Sequence, residues 1–324
     1  MIEDTAKNPE DTGCPQTEGI SKEKKEAERV EPKDIIKSII DSLSPAAAET
    51  FAKTRDDLIR KFLKQELARH AISQEYNVLI IHDEGQMVKS DADQIYSAAT
   101  SFAEQKSILL ILYSTGGVIG SAYLIGKLCR EYAKDKFAVV VPRQAKSAAT
   151  LICCAADEIH MGSLSELGPI DPQIQNLPAL GLKSSVEHIS DLLKAYPQAS
   201  DMFAKYLHLS LDPVNLGYYE RVAESAAQYA ERLLKTHSSN LRQDPKKIAR
   251  DLVYSYKDHG FVIDKYEACE IFGEKIVKTN TPEYELGNAM YGNLMRISRV
   301  AAYMDHYFYL VGSCDSDPRF RKNS

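Results

Sequence analysis

An α/β fold built on a mostly parallel sheet is the class that this sequence predicts. Two nearly unbroken apolar runs of strand length, over residues 108–113 and 137–141, each precede a stretch with helical periodicity, over residues 118–133 and 148–156. A further short strand is expected over residues 158–161. Strands that alternate with helices over short connections are typical of a parallel α/β layer.

Additional segments are expected on both sides of this central region. Residues 1–33 are rich in Glu, Lys, Pro, Thr and Ser, and they carry too few large aliphatic side chains to offset the entropy of ordering. We expect them to form a disordered tail. Apolar residues at helical spacing predict an amino-terminal helical arm over residues 34–72, able to cap the domain or to hold a partner subunit. The main domain is predicted over residues 73–280, and a carboxyl-terminal helix and tail over residues 281–324.

The composition favours a globular protein of the cytoplasm. With 324 residues and 44% hydrophobic content, the chain can bury a large core. The net charge of −6, with basic residues scattered along helices, argues against nucleic acid as the main partner. Its apolar runs are far shorter than the roughly 20 residues of a membrane-spanning helix, and the acidic amino terminus does not resemble a secretory signal. The six cysteines form no CxxC pair and are expected to be reduced.

The turns that follow the two central strands are the candidate functional region. Carboxyl ends of parallel strands meet at one edge of a sheet, where such folds bind ligands. The first turn carries Gly116 and Gly117, whose backbone can approach a substrate closely. The second carries Ser147 before a buried helix, where its own amide and that of Ala148 can stabilise an oxyanion. The alternative is that Ser147 serves only as a helix N-cap.

Two other kinds of site find less support in the sequence. A dinucleotide-binding turn after the strand would need G-x-G-x-x-G spacing and a later acidic residue, and neither is present. A metal site is not indicated, because the chain lacks His, Cys and carboxylate groups at zinc-like spacing. His160, in a short strand, is expected to be a packed histidine. We therefore expect neither a cofactor nor a metal.

Three motifs together resemble a known family. They are the strand-end TGG at residues 115–117, the VPRQAKSAAT turn at residues 141–150, and ADEIHMG followed by LGPIDPQ within residues 156–173. This combination is similar to the ClpP/crotonase superfamily, and within it to the serine dehydrogenase proteinase branch related to signal peptide peptidase A. The resemblance is firm over about residues 76–175. It implies a spiral of β-α units with helical additions at both ends.

The resemblance also implies roles for site residues. Ser147 would be the nucleophile of a serine peptidase, and the amides of Gly117 and Ala148 would form the oxyanion hole. The general base differs from that of ClpP-type enzymes, because no histidine lies about 25 positions after the serine, where those enzymes carry one. Relatives of signal peptide peptidase use a lysine, which points to Lys183 first and to Lys194 second. A lysine acts as a base only if burial lowers its pKa.

Other residues near the motifs are also candidates for the role of base. His259 lies in a turn that matches a His-containing turn of the serine dehydrogenase proteinase branch, and it is a candidate base or substrate contact. Lys146 adjoins the serine, but consecutive side chains diverge. Asp171 is expected to fix its loop by hydrogen bonds to the backbone, and it could also orient a base.

The sequence thus predicts a soluble serine peptidase that acts on peptides or proteins. Relatives of this kind assemble into rings or stacked oligomers, which implies a homo-oligomer here. Any ATP-driven unfoldase would be a separate chain, because this one lacks a phosphate-binding G-x-x-x-x-G-K-[ST] loop. Two other functions remain open: a crotonase-like acyl-CoA enzyme that uses the same two amides, and a non-catalytic scaffold of the same fold.

Overall fold

The structure, a computed structural model, describes residues 29–44, 49–174, 177–178, 181–210 and 213–323. Positions 1–28 of the predicted tail lie outside the described residues. The helices are α1 (Pro32–Leu43), α2 (Glu49–Ala68), α3 (Lys89–Ser101), α4 (Ile119–Tyr132), α5 (Ala148–Cys153), α6 (Gly181–Ala195), α7 (Ser200–Ser210), α8 (Pro213–Leu234), α9 (Pro245–Tyr254), α10 (Lys265–Phe272) and α11 (Pro282–Tyr303). Short 3-10 turns occupy Ala71–Gln74, Pro197–Ala199 and Lys235–Asn240.

The strands form one large mixed sheet and a small hairpin. They are β1 (Tyr76–Asp83), β2 (Ser107–Ser114), β3 (Phe137–Val141), β4 (Gln144–Ala145), β5 (Glu158–Met161), β6 (Glu166–Leu167), β7 (Gln173–Ile174), β8 (Leu177–Pro178), β9 (Val277–Lys278), β10 (His306–Gly312) and β11 (Arg319–Lys322). The large sheet runs in the order β11-β10-β1-β2-β3-β5-β9, and β7 pairs with β8 alone. Strands β1, β2, β3, β5 and β9 are parallel, so the predicted α/β class is confirmed.

Side chains alternate along the central strands and feed two separate cores. On one face of the sheet, Leu110 and Val139 pack with apolar residues of α3, α4, α5, α8, α9 and α10. On the other face, Leu109 and Val140 pack with residues of α1, α2 and α11. A sheet covered by helices on both faces has apolar residues at successive positions of its strands. This explains the unbroken apolar runs in β2 and β3.

The amino-terminal arm covers the second face of the sheet. Ile35 and Ile39 of α1 and Ile59 and Leu63 of α2 are almost completely buried in the core that α11 shares. Of the two roles expected for the arm, its apolar face serves the first, which is to cap the domain. On the same two helices Ile36, Ile40 and Phe51 are 40%, 40% and 48% exposed, so the second role, to hold a partner subunit, stays a prediction.

The carboxyl-terminal segment differs from the predicted helix and polar tail. The helical pattern predicts a helix over residues 284–310, but α11 ends at Tyr303 and the chain then turns back through Asp305, which has a φ of 58°. Strand β10 follows and pairs antiparallel with β1, and β11 pairs antiparallel with β10. The aromatic and β-branched run of β10 buries both of its faces in the sheet, which a terminal helix would not do.

Candidate active site

Strand β4 brings the two candidate turns together at the carboxyl edge of the sheet. Ala145 of β4 pairs with Ser114, the last residue of β2, and the amide of Lys146 donates to the carbonyl of Ser114 at 3.0 Å. The turn that carries Ser147 therefore begins next to the end of β2, which is followed by the turn of Gly116. The edge predicted from the apolar pattern is the edge at which the structure places both turns.

The backbones of the two turns touch at Gly116. This residue has a φ of 106°, which favours glycine. A Cβ added there would lie 2.7 Å from the carbonyl oxygen of Lys146, 2.9 Å from Ser147 Cβ and 3.1 Å from the amide nitrogen of Ala148. A side chain at Gly116 would thus separate the turns, and its absence allows them to lie in contact.

Ser147 has an unusual backbone conformation for a residue with a side chain. Its φ is 51° and its ψ is −119°, outside the regions that ordinary L-residues adopt. Such conformations cost roughly 1–3 kcal/mol and are concentrated at functional sites. Although Ser147 occupies the N-cap position of α5, its side chain makes no capping hydrogen bond. The half-buried hydroxyl has no hydrogen-bond partner among the described residues, so it is free for another role.

Two backbone amides at this edge also lack an acceptor within the described ranges of the chain. Met87 donates to the carbonyl of Gly116 and accepts from the amide of Val118, which leaves the amide of Gly117 between these bonds without an acceptor in the described part of the chain. The amide of Ala148, at the start of α5, likewise has no acceptor among those residues. Both belong to turns that touch at Gly116. Unpaired N–H groups near a serine hydroxyl are the donors that an oxyanion hole requires.

His259 and Asp171 form a pair that the sequence does not reveal. His259 Nδ1 lies 2.7 Å from Asp171 Oδ1, although 88 positions separate the two residues. The carboxylate is buried and also accepts from Gln173 Nε2 at 2.9 Å, whereas about a third of the histidine side chain is exposed. His259 Nε2 has no partner among the residues described. The hydrogen bond to Asp171 fixes the imidazole so that Nε2 can accept a proton.

The electrostatics of this pair favour the imidazolium. The hydrogen bond from His259 to Asp171 raises the pKa of the histidine above its usual value of 6.5, against the opposing effect of partial burial. The charges of Asp171 and Asp258 add to the increase in pKa. A histidine with a raised pKa is a stronger base and a better proton acceptor in its neutral form.

Lys146, which precedes the serine, points away from the hydroxyl. Its ammonium lies 2.9 Å from Glu166 Oε2 and donates to the carbonyls of Leu167 at 3.2 Å and Phe261 at 3.1 Å. One ion pair and two hydrogen bonds thus hold this side chain against β6 and the segment of Phe261. The expected divergence of adjacent side chains agrees with this position.

The structure describes the other two lysine candidates to different extents. Lys183 lies in the first turn of α6, but its side chain falls outside the described residues. Lys194, near the end of α6, is 75% exposed and donates to Asp191 at 2.8 Å. That hydrogen bond raises the pKa of Lys194, which is opposite to the change that a lysine base needs.

One described cluster has the residue types of a metal site, and it lies on the opposite face of the sheet from α5. Ligand atoms of Glu158, His160 and Glu283 lie within 4.8 Å of one another. However, His160 Nδ1 already has a hydrogen-bond partner, because it lies 2.8 Å from Thr281 Oγ1, and Nε2 lies 3.5 Å from Glu158. Lys136 already lies 2.7 Å from Glu158. These features indicate a buried ion-pair network around the packed His160.

The central part of the chain is similar to a known protein family. Residues 86–194 match the profile of a family described as ClpP-like SDH-type serine proteinases. The resemblance indicated by the motifs is confirmed. The matched segment contains Gly117, Ser147 and Asp171 but ends before His259. The mixed α/β sheet with helices on both faces agrees with the ClpP-like fold of this family, and the family supports a serine peptidase.

Similar proteins include two of Methanocaldococcus jannaschii, both uncharacterized. MJ0137 is 28% identical over 193 residues, which are 60% of this chain and 61% of that protein. MJ1495 is 27% identical over 198 residues, with the same shares. The chain therefore spans less than two thirds of the length of these relatives. Among solved structures, a mutant of the 1510-N membrane-bound stomatin-specific protease with a substrate peptide aligns at 15% identity and a TM-score of 0.39, over 63% of this chain and 74% of that one.

None of the described helices combines the length and the apolar character that a segment crossing a bilayer needs.

Proposed function

We propose that this protein is a serine peptidase in which Ser147 forms an acyl-enzyme. The observation that carries the proposal is the conformation of Ser147, whose strained backbone leaves its hydroxyl free beside the turn of Gly116 and Gly117. A serine used only as an N-cap would place its oxygen on an amide of the next turn. The family match of residues 86–194 supports the same reaction class.

In this proposal the oxyanion hole consists of the amides of Gly117 and Ala148. When the Ser147 oxygen attacks the carbonyl carbon of a peptide, the carbonyl oxygen becomes negatively charged. The two free N–H groups would stabilise that charge without reorganising, because they belong to turns that are held in contact. The attraction between oriented N–H donors and a negative charge is stronger in a site that partly excludes water than in bulk water.

For the general base we propose His259, held by Asp171. Nε2 would take the proton of the Ser147 hydroxyl during attack and give it to the nitrogen of the leaving amine. In the second half of the reaction Nε2 would take a proton from water, the resulting hydroxide would attack the ester, and the proton would return to Ser147. Lys183 remains the alternative base, as the resemblance implies. The charged state of Lys194 makes it the weakest of the three candidates.

A groove beside the first turn offers a place for substrate side chains. The groove has a volume of about 700 Å³ and is lined by Ile119, at the start of α4, together with residues of α8: Gly217, Tyr218, Arg221, Val222, Ser225 and Tyr229. Val118, which directly follows Gly117, is about half exposed at this edge. We therefore propose that the substrate is a peptide or protein with an apolar side chain close to the cleaved bond.

The experiment that tests the proposal is labelling with a fluorophosphonate, which reacts with activated serines. We expect native protein to be labelled on the peptide that contains Ser147 and expect Ser147→Ala to remain unlabelled. Matched variants Lys183→Ala and His259→Ala decide between the two bases, because the true base accelerates the reaction by about 100- to 10,000-fold. Labelling that persists in Ser147→Ala would remove this serine from the mechanism.

The two rival functions give different results in the same set of measurements. A non-catalytic scaffold would leave every serine unlabelled. A crotonase-like enzyme would bind acyl-CoA, which calorimetry detects directly. Its use of the two amides would not require Ser147, so the Ser147→Ala variant would still bind.

Assembly and partners are part of the proposal. We propose a cytoplasmic homo-oligomer and, for folded substrates, an ATP-driven unfoldase on a separate chain. The contact between subunits would use the apolar side chains that α1 and α2 leave exposed, which include Ile36, Ile40 and Phe51. Light scattering coupled to size-exclusion chromatography gives the mass of the assembly, and a mass of 36.2 kDa would contradict the oligomer.

A further inference from the structure

The side chain of Lys146 links three segments of the site that are distant in sequence. Its ammonium bonds to Glu166 and Leu167 of β6 and to Phe261 in the segment after His259. The side chain is only 14% exposed. A largely buried ammonium needs polar partners, and this one has an ion pair with Glu166 and hydrogen bonds to two carbonyls. Lys146 therefore joins the serine turn to two other chain segments.

The methylene groups of the Lys146 side chain are also closely packed, against Gly168. A Cβ added to Gly168 would lie 2.7 Å from Lys146 Cδ and 3.5 Å from Lys146 Cα. The methylene groups thus lie directly against the backbone of the residue that follows β6. This contact fixes the path of the side chain from the serine turn to its acceptors.

Both members of the His259–Asp171 pair belong to the segments that Lys146 holds. Asp171 follows Gly168 by three residues, and His259 precedes Phe261 by two. The two segments also exchange hydrogen bonds between Leu167 and Ile263, at 2.9 and 3.1 Å. The ammonium spans this junction, since it donates to a carbonyl on each side of it.

We propose that Lys146 is a positioning residue that sets the distance between the serine turn and the His259–Asp171 pair. This inference deepens the proposed function and rests on it. The lysine does not touch the substrate. Its ammonium couples the nucleophile, one position along the chain, to the histidine across the junction of β6 and the residue 261–263 segment. A serine and a base carried by separate segments need such a link, because displacement by about 1 Å can cost roughly 100-fold in rate.

The test uses Lys146→Met, which keeps the length of the stem and removes the ammonium, and Lys146→Arg, which keeps the charge. Lys136→Met is the matched control, because Lys136 is also a partly buried lysine paired with a glutamate, but it contacts Tyr76 of the second core. Three quantities are measured for each: the rate of fluorophosphonate labelling, the thermal midpoint, and the titration of His259 by NMR with ¹³C-labelled histidine. Asp171 and Asp258 are the charged groups that act on this titration.

We expect Lys146→Met to be labelled roughly 10- to 100-fold more slowly than native protein, and Lys136→Met to keep the native rate within about twofold after a similar loss of thermal midpoint. The pKa of His259 should fall towards 6.5 in Lys146→Met, because the bond to Asp171 loosens. Lys146→Arg should recover part of both effects. A native labelling rate with an unchanged His259 titration in Lys146→Met would overturn the inference.

The outcome also separates this inference from the proposed function. If native protein is not labelled at all, the peptidase proposal fails, and the histidine titration still reports on the link. A His259 pKa that falls in Lys146→Met would then support the positioning role. An unchanged pKa would contradict it.

Discussion

Asp171 and His259 meet at 2.7 Å between Oδ1 and Nδ1, and they belong to the two chain segments that the side chain of Lys146 contacts. The carboxylate is buried and the imidazole is partly exposed, so the pair has one fixed member and one that can reach solvent or substrate. A buried acceptor that orients a histidine through Nδ1 leaves Nε2 to exchange protons. This relationship underlies the pH dependence expected of the protein.

The rate of labelling at Ser147 should depend on pH through His259. Because the pKa of this histidine is raised, the neutral form needed for proton transfer is lost as the pH falls through a value above 6.5. In Asp171→Asn the cause of the increase is removed, so the midpoint should move to lower pH while the maximal rate falls by about 100- to 10,000-fold. A pH–rate profile of labelling measures both quantities.

Asp258→Asn is the matched control for this prediction. Asp258 acts on His259 only through its charge, and its own Oδ1 accepts from the amide of Gly260. We expect a much smaller shift of the midpoint and a nearly native maximal rate. An Asp171→Asn profile that overlays the native one would show that His259 is not the base.

The strain at Ser147 should appear in the stability of its variants. Glycine adopts a positive φ readily, whereas alanine retains the steric cost, so Ser147→Gly should be about 1 kcal/mol more stable than Ser147→Ala. Both variants should be unreactive. Denaturant unfolding gives the two free energies, and an alanine variant as stable as the glycine variant would contradict a strained serine turn.

Contact between the two turns at Gly116 should make this position intolerant of a side chain. Gly116→Ala would place a methyl group 2.7 Å from the Lys146 carbonyl and would impose a φ of 106° on alanine. We expect a loss of about 1–3 kcal/mol in unfolding free energy and a strong loss of labelling. Gly120→Ala, four residues later in α4 and in open space, should change stability by less than about 1 kcal/mol. Equal effects of the two changes would rule out close contact of the turns.

The carboxyl-terminal strand should contribute to stability as a core element. Leu310 of β10 is 1% exposed, so Leu310→Ala should cost about 2–5 kcal/mol in unfolding free energy. Tyr303→Ala, at the end of α11 and 87% exposed, should change it by less than about 0.5 kcal/mol. Chemical denaturation distinguishes these values. A mild effect of Leu310→Ala would fit a solvated tail and not a sheet strand.

Local sequence pattern predicts the centre of this molecule well and its periphery less well. Strands β2 and β3 are apolar at successive positions because helices cover both faces of the sheet, and short connections then place Gly117 and Ser147 at one edge. The pattern fails after Tyr303, where only Met304 and Asp305 separate α11 from the apolar strand β10, which begins at His306. When the spacing of apolar residues changes from helical to strand-like over so few residues, the sequence pattern does not show where the helix ends.

The candidate base illustrates a second limit of sequence. The pairing of Asp171 with His259, like the reach of Lys146 to Phe261, depends on tertiary contacts between segments about 90 to 115 positions apart. Each residue alone is an ordinary polar side chain of a turn. The one local signal was the loop before β7, whose Asp171 was expected to make hydrogen bonds and lies between two restricted neighbours, Ile170 and Pro172.

The most direct test of the central claim is detection of the acyl-enzyme. Native protein is mixed with an activated ester of an apolar amino acid, quenched in acid, and examined by intact mass and peptide mapping. The proposed mechanism predicts one added acyl group on the peptide that carries Ser147, and none in Ser147→Ala. An acyl group on another residue, or ester hydrolysis that Ser147→Ala retains in full, would contradict it.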